Sequence, residues 1–280
     1  MCIRDRLRRA EVEAGFSQLL LTIAADGAAP LGVRQAAAVY FKNVVRQRWS
    51  DDERPISAAD KEAVKGALLA LMVSVPELVQ RQLSEALTMI SAHDFPERWP
   101  SLMPHLVGQL GSAASVPDLA LLLALLQTAH AMFKPYRHEF KSDELLTKMK
   151  YVLGHLQAPL LQLSAMLVSA FEATPPTDAA RSGAALACLQ AAVDVHMDLA
   201  SQDLPEYFED HMAEWMGAFQ KLLAFAPAGA LAGDADDPPG PLEHAQAVTV
   251  ECLSLYISKC ARGEPRRAPT RPRRHVCLPF

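Results

Sequence analysis

The chain of 280 residues is half hydrophobic, with 21% charged side chains and a formal net charge of −5. That is enough to bury a large core in one or two domains or in one continuous stack. Residues 1–9 add about +3 and residues 261–280 about +5, so the body between them is near −13, which excludes general nucleic-acid binding by basic surface and suits a partner with a basic face.

Leucine and alanine dominate, β-branched runs are scarce and apolar residues recur at helical spacing, so the expected class is all-α. Residues 11–25 form an amphipathic pattern stopped by Asp26-Gly27. Residues 33–49 follow, with Ala37, Tyr40, Phe41, Val44 and Val45 on one face. After a polar loop at 50–55, a helix opens at Ser57 with Asp60 and Glu62 in its first turn, where carboxylates suit the dipole. It carries Val64, Ala67, Leu68, Leu71 and Met72 and ends before Pro76.

Residues 76–90 and 102–110 are the next two patterns. The corner Asp94-Phe95-Pro96-Glu97-Arg98-Trp99-Pro100 between them turns one helix back on the next. Pro117-Asp118 opens another helix, with Leu119, Leu122, Leu123, Leu126 and Phe133 at i, i+3, i+4 spacing, and it ends by Pro135. The longest pattern covers 142–171, and Pro159 within it is expected to kink or divide the helix. Residues 174–177 are a proline break, and 178–200 with 205–225 form the next pair. Residues 226–241, rich in Gly, Pro and Asp, are expected to be a mobile acidic loop before a last helix at 242–260.

The first helices of successive pairs start near residues 31, 76, 117, 178 and 241. The first two intervals fit a HEAT-type repeat, and the longer ones leave room for extended helices or loops. No single hairpin can bury its apolar face alone, so neighbours must stack. The expected fold is an α-α superhelix, a HEAT-repeat solenoid of about five to six antiparallel helix pairs. The ends differ from the body: residues 1–6 fit no helix start and residues 261–280 switch to Arg and Pro. They read as a non-native leader and a disordered or artefactual tail, and the chain as a fragment.

Catalytic signatures are missing from the sequence: there is no P-loop, nucleophile elbow, HExxH or dinucleotide fingerprint. His138-Glu139 lacks a second histidine four residues after the first, and Asp234, Asp236 and Asp237 lack the closing glutamate of a calcium loop. The nine histidines are expected mostly near helix ends, as caps or in solvent. Asp94, Glu97 and Arg98 belong to a corner held by Phe95 and Trp99 rather than to a catalytic cluster. Five cysteines without a CxxC pair fit a reducing compartment. The longest apolar run, 119–126, is too short to span a bilayer. The expectation is a chain that is not an enzyme and uses no metal or cofactor.

Several strings carry a family resemblance. Val33-Arg-Gln-Ala-Ala-Ala-Val-Tyr-Phe-Lys-Asn-Val-Val-Arg-Gln-Arg-Trp49 resembles the amino-terminal repeat of importin-β-type transport receptors, where an alanine-rich helix ends in Phe-Lys-Asn and then Trp. The Asp-Phe-Pro and Trp-Pro corner of 76–100 occurs across that superfamily. Phe133-Lys-Pro-Tyr-Arg-His-Glu-Phe-Lys-Ser-Asp-Glu-Leu145 and Gln202-Asp-Leu-Pro-Glu-Tyr-Phe-Glu-Asp-His-Met-Ala-Glu-Trp-Met216 resemble its exportin-2 branch, which returns importin-α to the cytoplasm. The resemblance covers about residues 7–259, the amino-terminal quarter to third of a full receptor. It lacks most of the first helix and all later repeats.

The resemblance implies a receptor that shuttles between nucleus and cytoplasm, binding Ran in its GTP form through the inner, second helices of its first repeats. Cargo is held jointly with Ran and released after GTP hydrolysis. For this branch the cargo is importin-α, with nucleoporins as further candidate partners and no cofactor, nucleic acid or membrane insertion. Residues 7–110 would be the Ran-binding repeats and 111–260 further repeats. The second helices are expected at 16–25, 58–75 and 102–110. The family has no tight motif there, so helix geometry alone selects Asp60, Lys61, Lys65, His105 and Gln109, polar residues opposite the core face.

Phe95, Trp99, Tyr136, Phe140, Tyr207, Phe208 and Trp215 are expected to be packing anchors of the family motif, together with Asp94, Pro96 and Pro100, since aromatics bury large areas. Arg137 and Glu139 are expected to tie neighbouring repeats through an ion pair. Two alternatives remain open: another importin-β-type receptor with different cargo, and a helical scaffold that binds no GTPase. The strings at 136–144 and 203–212 speak against a generic scaffold.

Overall fold

The computed structural model describes residues 10–51, 53–115, 118–174, 178–224 and 241–261. The leader at 1–6, the tail beyond 261, the acidic loop 226–240 and the prolines of the break at 174–177 lie outside the described residues.

The helices are α1 (Phe16–Ala25), α2 (Leu31–Arg48), α3 (Ala58–Met72), α4 (Glu77–Asp94), α5 (Leu102–Ser115), α6 (Leu119–Phe133), α7 (Asp143–Ala173), α8 (Ala179–Ala200), α9 (Glu206–Asp210), α10 (Met212–Ala224) and α11 (Pro241–Ala261). A 3-10 turn, Lys134–Arg137, follows α6, and no strand occurs among the described residues. Local chemistry sets the starts. Ser57, Asp118, Ser142 and Asp178 each accept a hydrogen bond from the backbone N–H three residues on, satisfying a donor with no partner inside the helix. Pro30, Pro76 and Pro205 stand just before α2, α4 and α9. The corner after α4 contains a cis peptide bond between Phe95 and Pro96.

The helices form two layers. One stacks α2, α4, α6, α8 and α11 in chain order; in the other, α1 packs on α3, and α5 on α7 and α7 on α10. The first layer begins at residues 31, 77, 119, 179 and 241, within two residues of the starts read from the sequence. The result is a solenoid of antiparallel hairpins whose core runs unbroken between the layers. Phe41, Leu68, Leu83, Leu87, Ile90, Phe133, Phe208 and Trp215 are fully buried in it, each contributing on the order of 1.5–3 kcal/mol relative to exposure.

Pro159 does not divide the longest pattern, and α7 runs through it as one helix of 31 residues. Leu156 and Leu160 on either side are 0% and 1% exposed. Burial there offsets the roughly 3 kcal/mol that an internal proline costs through its missing N–H and ring clash. By length and composition α7 could also cross a bilayer, but ten of its residues are buried in the repeat core.

Candidate partner-binding surface

The second-layer helices carry the residues that helix geometry selected, and the structure sorts them into two groups. Asp60 and Lys65 are not on a solvated face; they are 8% and 7% exposed. The Asp60 carboxylate accepts the Gly15 N–H at 3.0 and 3.1 Å and the Gln18 amide at 3.3 Å. Gly15 precedes α1 with φ 81°, a left-handed conformation that favours glycine. Asp60 thus places a carboxylate at the amino end of α1, where the helix dipole stabilises it. Lys65 Nζ lies 2.8 Å from Asp94 Oδ2 and 2.9 Å from Glu62 Oε1, and donates to the Arg98 carbonyl at 2.9 Å. Burial alone would lower the Lys65 pKa, but the hydrogen bonds and charges of Asp94 and Glu62 outweigh it and leave the pKa raised.

The reason for the correction is geometric. A helical wheel assumes one buried face, whereas α3 is flanked by α1 on one side and touched by the corner on the other. Removing the Asp60 carboxylate leaves the Gly15 N–H without its acceptor. Asp60→Ala is therefore expected to cost about 1–3 kcal/mol in urea unfolding, with Asp60→Asn, which keeps an acceptor, losing less. Equal stability of the alanine variant and the parent would contradict this role.

Lys61, His105 and Gln109 remain accessible. Lys61 is half-buried, its Nζ 5.4 Å from the Trp49 ring centroid, a cation–π contact worth roughly 0.5–1 kcal/mol at such a site. His105 is exposed and Gln109 half-buried, one turn apart on α5, with Nε2 atoms 3.4 Å apart.

The motif aromatics divide as well. Phe95, Trp99, Tyr136, Phe208 and Trp215 are buried, Tyr207 and Pro96 are half-buried, and Pro100 is exposed. Asp94 is buried as the partner of Lys65. Phe140 is no anchor: it is 90% exposed. Gln202 Nε2 donates to the carbonyls of Tyr136 and Glu139 at 2.7 and 2.9 Å, fixing the backbone just before Phe140. Phe133 and Tyr136 supply the packing instead.

Arg137 does tie repeats together, but not through Glu139. Its guanidinium bonds Asp198, which is wholly buried, and reaches Asp194 at 3.8 Å and the Asp194 carbonyl at 3.1 Å. His130 Nδ1 meets Asp198 Oδ2 at 2.8 Å, and His244 Nε2 lies 3.7 Å from Asp194. One polar cluster thereby joins α6, the 3-10 turn, α8 and α11. Burial pushes the Asp194 pKa up, against the lowering influence of His130, His244 and Arg137. The readable signal is Asp194 and Asp198, two carboxylates one turn apart near the carboxyl end of an alanine- and leucine-rich helix.

His196, between Asp194 and Asp198 on α8, departs from the expectation that most histidines sit near helix ends or in solvent. It is wholly buried, with ring centroids of Trp215 and Phe208 at 4.0 and 4.4 Å. The Tyr256 hydroxyl meets its Nε2. Burial lowers its pKa to about 3. The buried thiols Cys188 and Cys252 are pushed up to about 12 by burial, which leaves them poor nucleophiles. Among the described residues no group of three or more His, Cys, Asp or Glu side chains could hold a metal.

Comparison with known proteins adds to this geometry. Residues 3–74 match the importin-beta N-terminal domain and residues 132–263 match the Cse1 family. Exportin-2 of Drosophila melanogaster is 35% identical over 90% of the chain, and exportin-2 of Homo sapiens 34% identical over 90%. The chain spans about a quarter (26%) of the length of these curated relatives. A solved structure of the exportin Cse1 in its cargo-free, cytoplasmic state superposes over 90% of the chain and 27% of its own, with a TM-score of 0.83 and 32% identity. Lph2, a bidirectional nuclear transport receptor of S. cerevisiae, superposes over 91% of the chain and 25% of its own with a TM-score of 0.68; at 17% identity it shares the fold.

Proposed function

The chain belongs to the exportin-2 family of importin-β-type nuclear transport receptors, and from that membership we propose that it binds Ran in its GTP form and takes part in the export of importin-α from nucleus to cytoplasm. The family is one of transport receptors, not enzymes. The observation that carries the reading is the 35% identity to an exportin-2 across 90% of the chain. Residues 7–110 form the Ran-binding region in this proposal and residues 111–260 continue the solenoid. The exposed parts of α1, α3 and α5 are the contact surface.

Lys61, His105 and Gln109 are the contact residues of this reading, while Asp60 and Lys65 hold α3 in place beneath them. The chemistry of GTP hydrolysis belongs to Ran, and the receptor supplies a platform whose differential affinity for the two nucleotide states sets direction. Nucleoporins, met during shuttling through the pore, are further partners.

The test is a pulldown using the full-length receptor, with Ran loaded with a GTP analogue or with GDP, with and without importin-α. The expected result is retention of the GTP form alone, strengthened by importin-α. Lys61→Glu should weaken Ran retention roughly tenfold, as charge reversal at an interface does. Equal retention of both nucleotide forms, or of neither, removes the proposal.

A further inference from the structure

Where the loop from α2 to α3 meets the corner after α4, a cavity of about 420 Å³ opens. Trp49, Lys61, His93, Arg98, Asp51 and Asp94 are among the residues that line it. Both of its carboxylates are already engaged, Asp94 through both oxygens and Asp51 through one. Asp94 Oδ2 holds Lys65 at 2.8 Å and Asp94 Oδ1 lies 3.4 Å from Arg98 Nε. Asp51 Oδ1 accepts the Glu53 N–H at 3.0 Å.

The donors are in surplus. Lys61 meets the Trp49 ring but no carboxylate among the described residues. The Arg98 side chain is 70% exposed and its contacts are with Asp94 and the His93 carbonyl, which leaves guanidinium N–H groups to spare. Trp49 is 2% exposed, and its indole N–H has no acceptor among the described residues. A buried donor without a partner is disfavoured, and in native proteins it calls for a specific explanation.

From this imbalance we propose that the cavity is an oxyanion site, taking one carboxylate or phosphoryl group presented by a partner. A guanidinium and an ammonium lining one cavity give charge-assisted hydrogen bonds to such a group, and the guanidinium fork matches its planar or tetrahedral oxygens. The cavity has ample volume for one acidic or phosphorylated side chain. The proposal shares Lys61 with the Ran reading but does not depend on it.

The experiment uses the 280-residue chain with isotope-labelled tryptophan and follows the indole N–H signal of Trp49, assigned by its loss in Trp49→Phe. Inorganic phosphate, sodium acetate and sodium chloride are titrated at matched ionic strength. The expected result is a saturable shift with phosphate or acetate and none with chloride, at least roughly tenfold weaker in the Lys61→Gln, Arg98→Gln double variant. Signals of Trp99 and Trp215 report that the variant stays folded. Saturation at lower concentration by acetate assigns the site to carboxylates, and by phosphate to phosphoryl groups. A drift shared with chloride, or saturation untouched by the double variant, overturns the site. Ran is not in the sample, so this outcome and that of the pulldown are read separately.

Discussion

Asp198→Ala should destabilise the chain by about 3–5 kcal/mol, the loss typical of breaking one side of a buried ion pair. Asp198 is wholly buried, while the Arg137 side chain that it holds is 17% exposed. Without the carboxylate, Arg137 keeps only Asp194, at 3.8 Å from its side chain and 3.1 Å from its carbonyl, and His130 loses its 2.8 Å contact. The cost arises from stranding a cation rather than from losing one attraction. A variant that replaces both members, Asp198→Leu with Arg137→Met, should therefore recover part of the loss, because well-packed apolar pairs often equal buried ion pairs in stability. In a solenoid each repeat is stabilised largely by its neighbours, and this cluster joins three successive first-layer helices. The loss should show in urea unfolding followed by circular dichroism as a lower midpoint. An alanine variant within 1 kcal/mol of the parent would show that the cluster does not hold the repeats together.

What could be read in the sequence follows from which forces are periodic. Apolar spacing at 3.6 residues marks each core face, and Ser57, Asp118, Ser142 and Asp178 mark helix starts through a local hydrogen bond. The hairpin order and the two layers came from those signals alone. Pairings between repeats did not, because they depend on which flank of a helix meets its neighbour. Asp60 and Lys65 lie on flanks of α3 that a wheel treats as solvated, yet their partners Gly15 and Asp94 are 45 and 29 residues away. Arg137 finds Asp198 61 residues on, where the string around it offered Glu139. Phe140 misled for a different reason. Aromatic character suggests burial, but the Gln202 bonds to the backbone beside it set the course of the loop and leave the ring exposed.

Acidification should unfold this chain partly through His196. Its ring is wholly buried against Trp215 and Phe208, and burial lowers its pKa from the ordinary 6.5 to about 3. In the unfolded chain the same imidazole takes up a proton near pH 6.5, while in the folded chain it stays neutral to about pH 3. Between those values the unfolded state binds more protons, so the contribution is fully present above pH 6.5 and is lost as pH falls toward 3. The loss is about 1.4 kcal/mol per pH unit, or on the order of 2–3 kcal/mol by about pH 4.5. Asp194 works in the opposite sense: its raised pKa favours the folded state under acid conditions, and that contribution fades as pH rises through the folded value. A His196→Phe variant shares Asp194 and every other titrating group, so the difference between the two stability curves isolates His196. Loss of the hydrogen bond to Tyr256 shifts the variant by a nearly constant amount in this range, because burial drives the Tyr256 pKa up and out of it. The parent should therefore lose stability more steeply than the variant, by about 1.4 kcal/mol per unit, in urea titrations between pH 4 and 6.5. Parallel curves would mean that the imidazole is solvated in the folded chain and that the aromatic cluster around it is open.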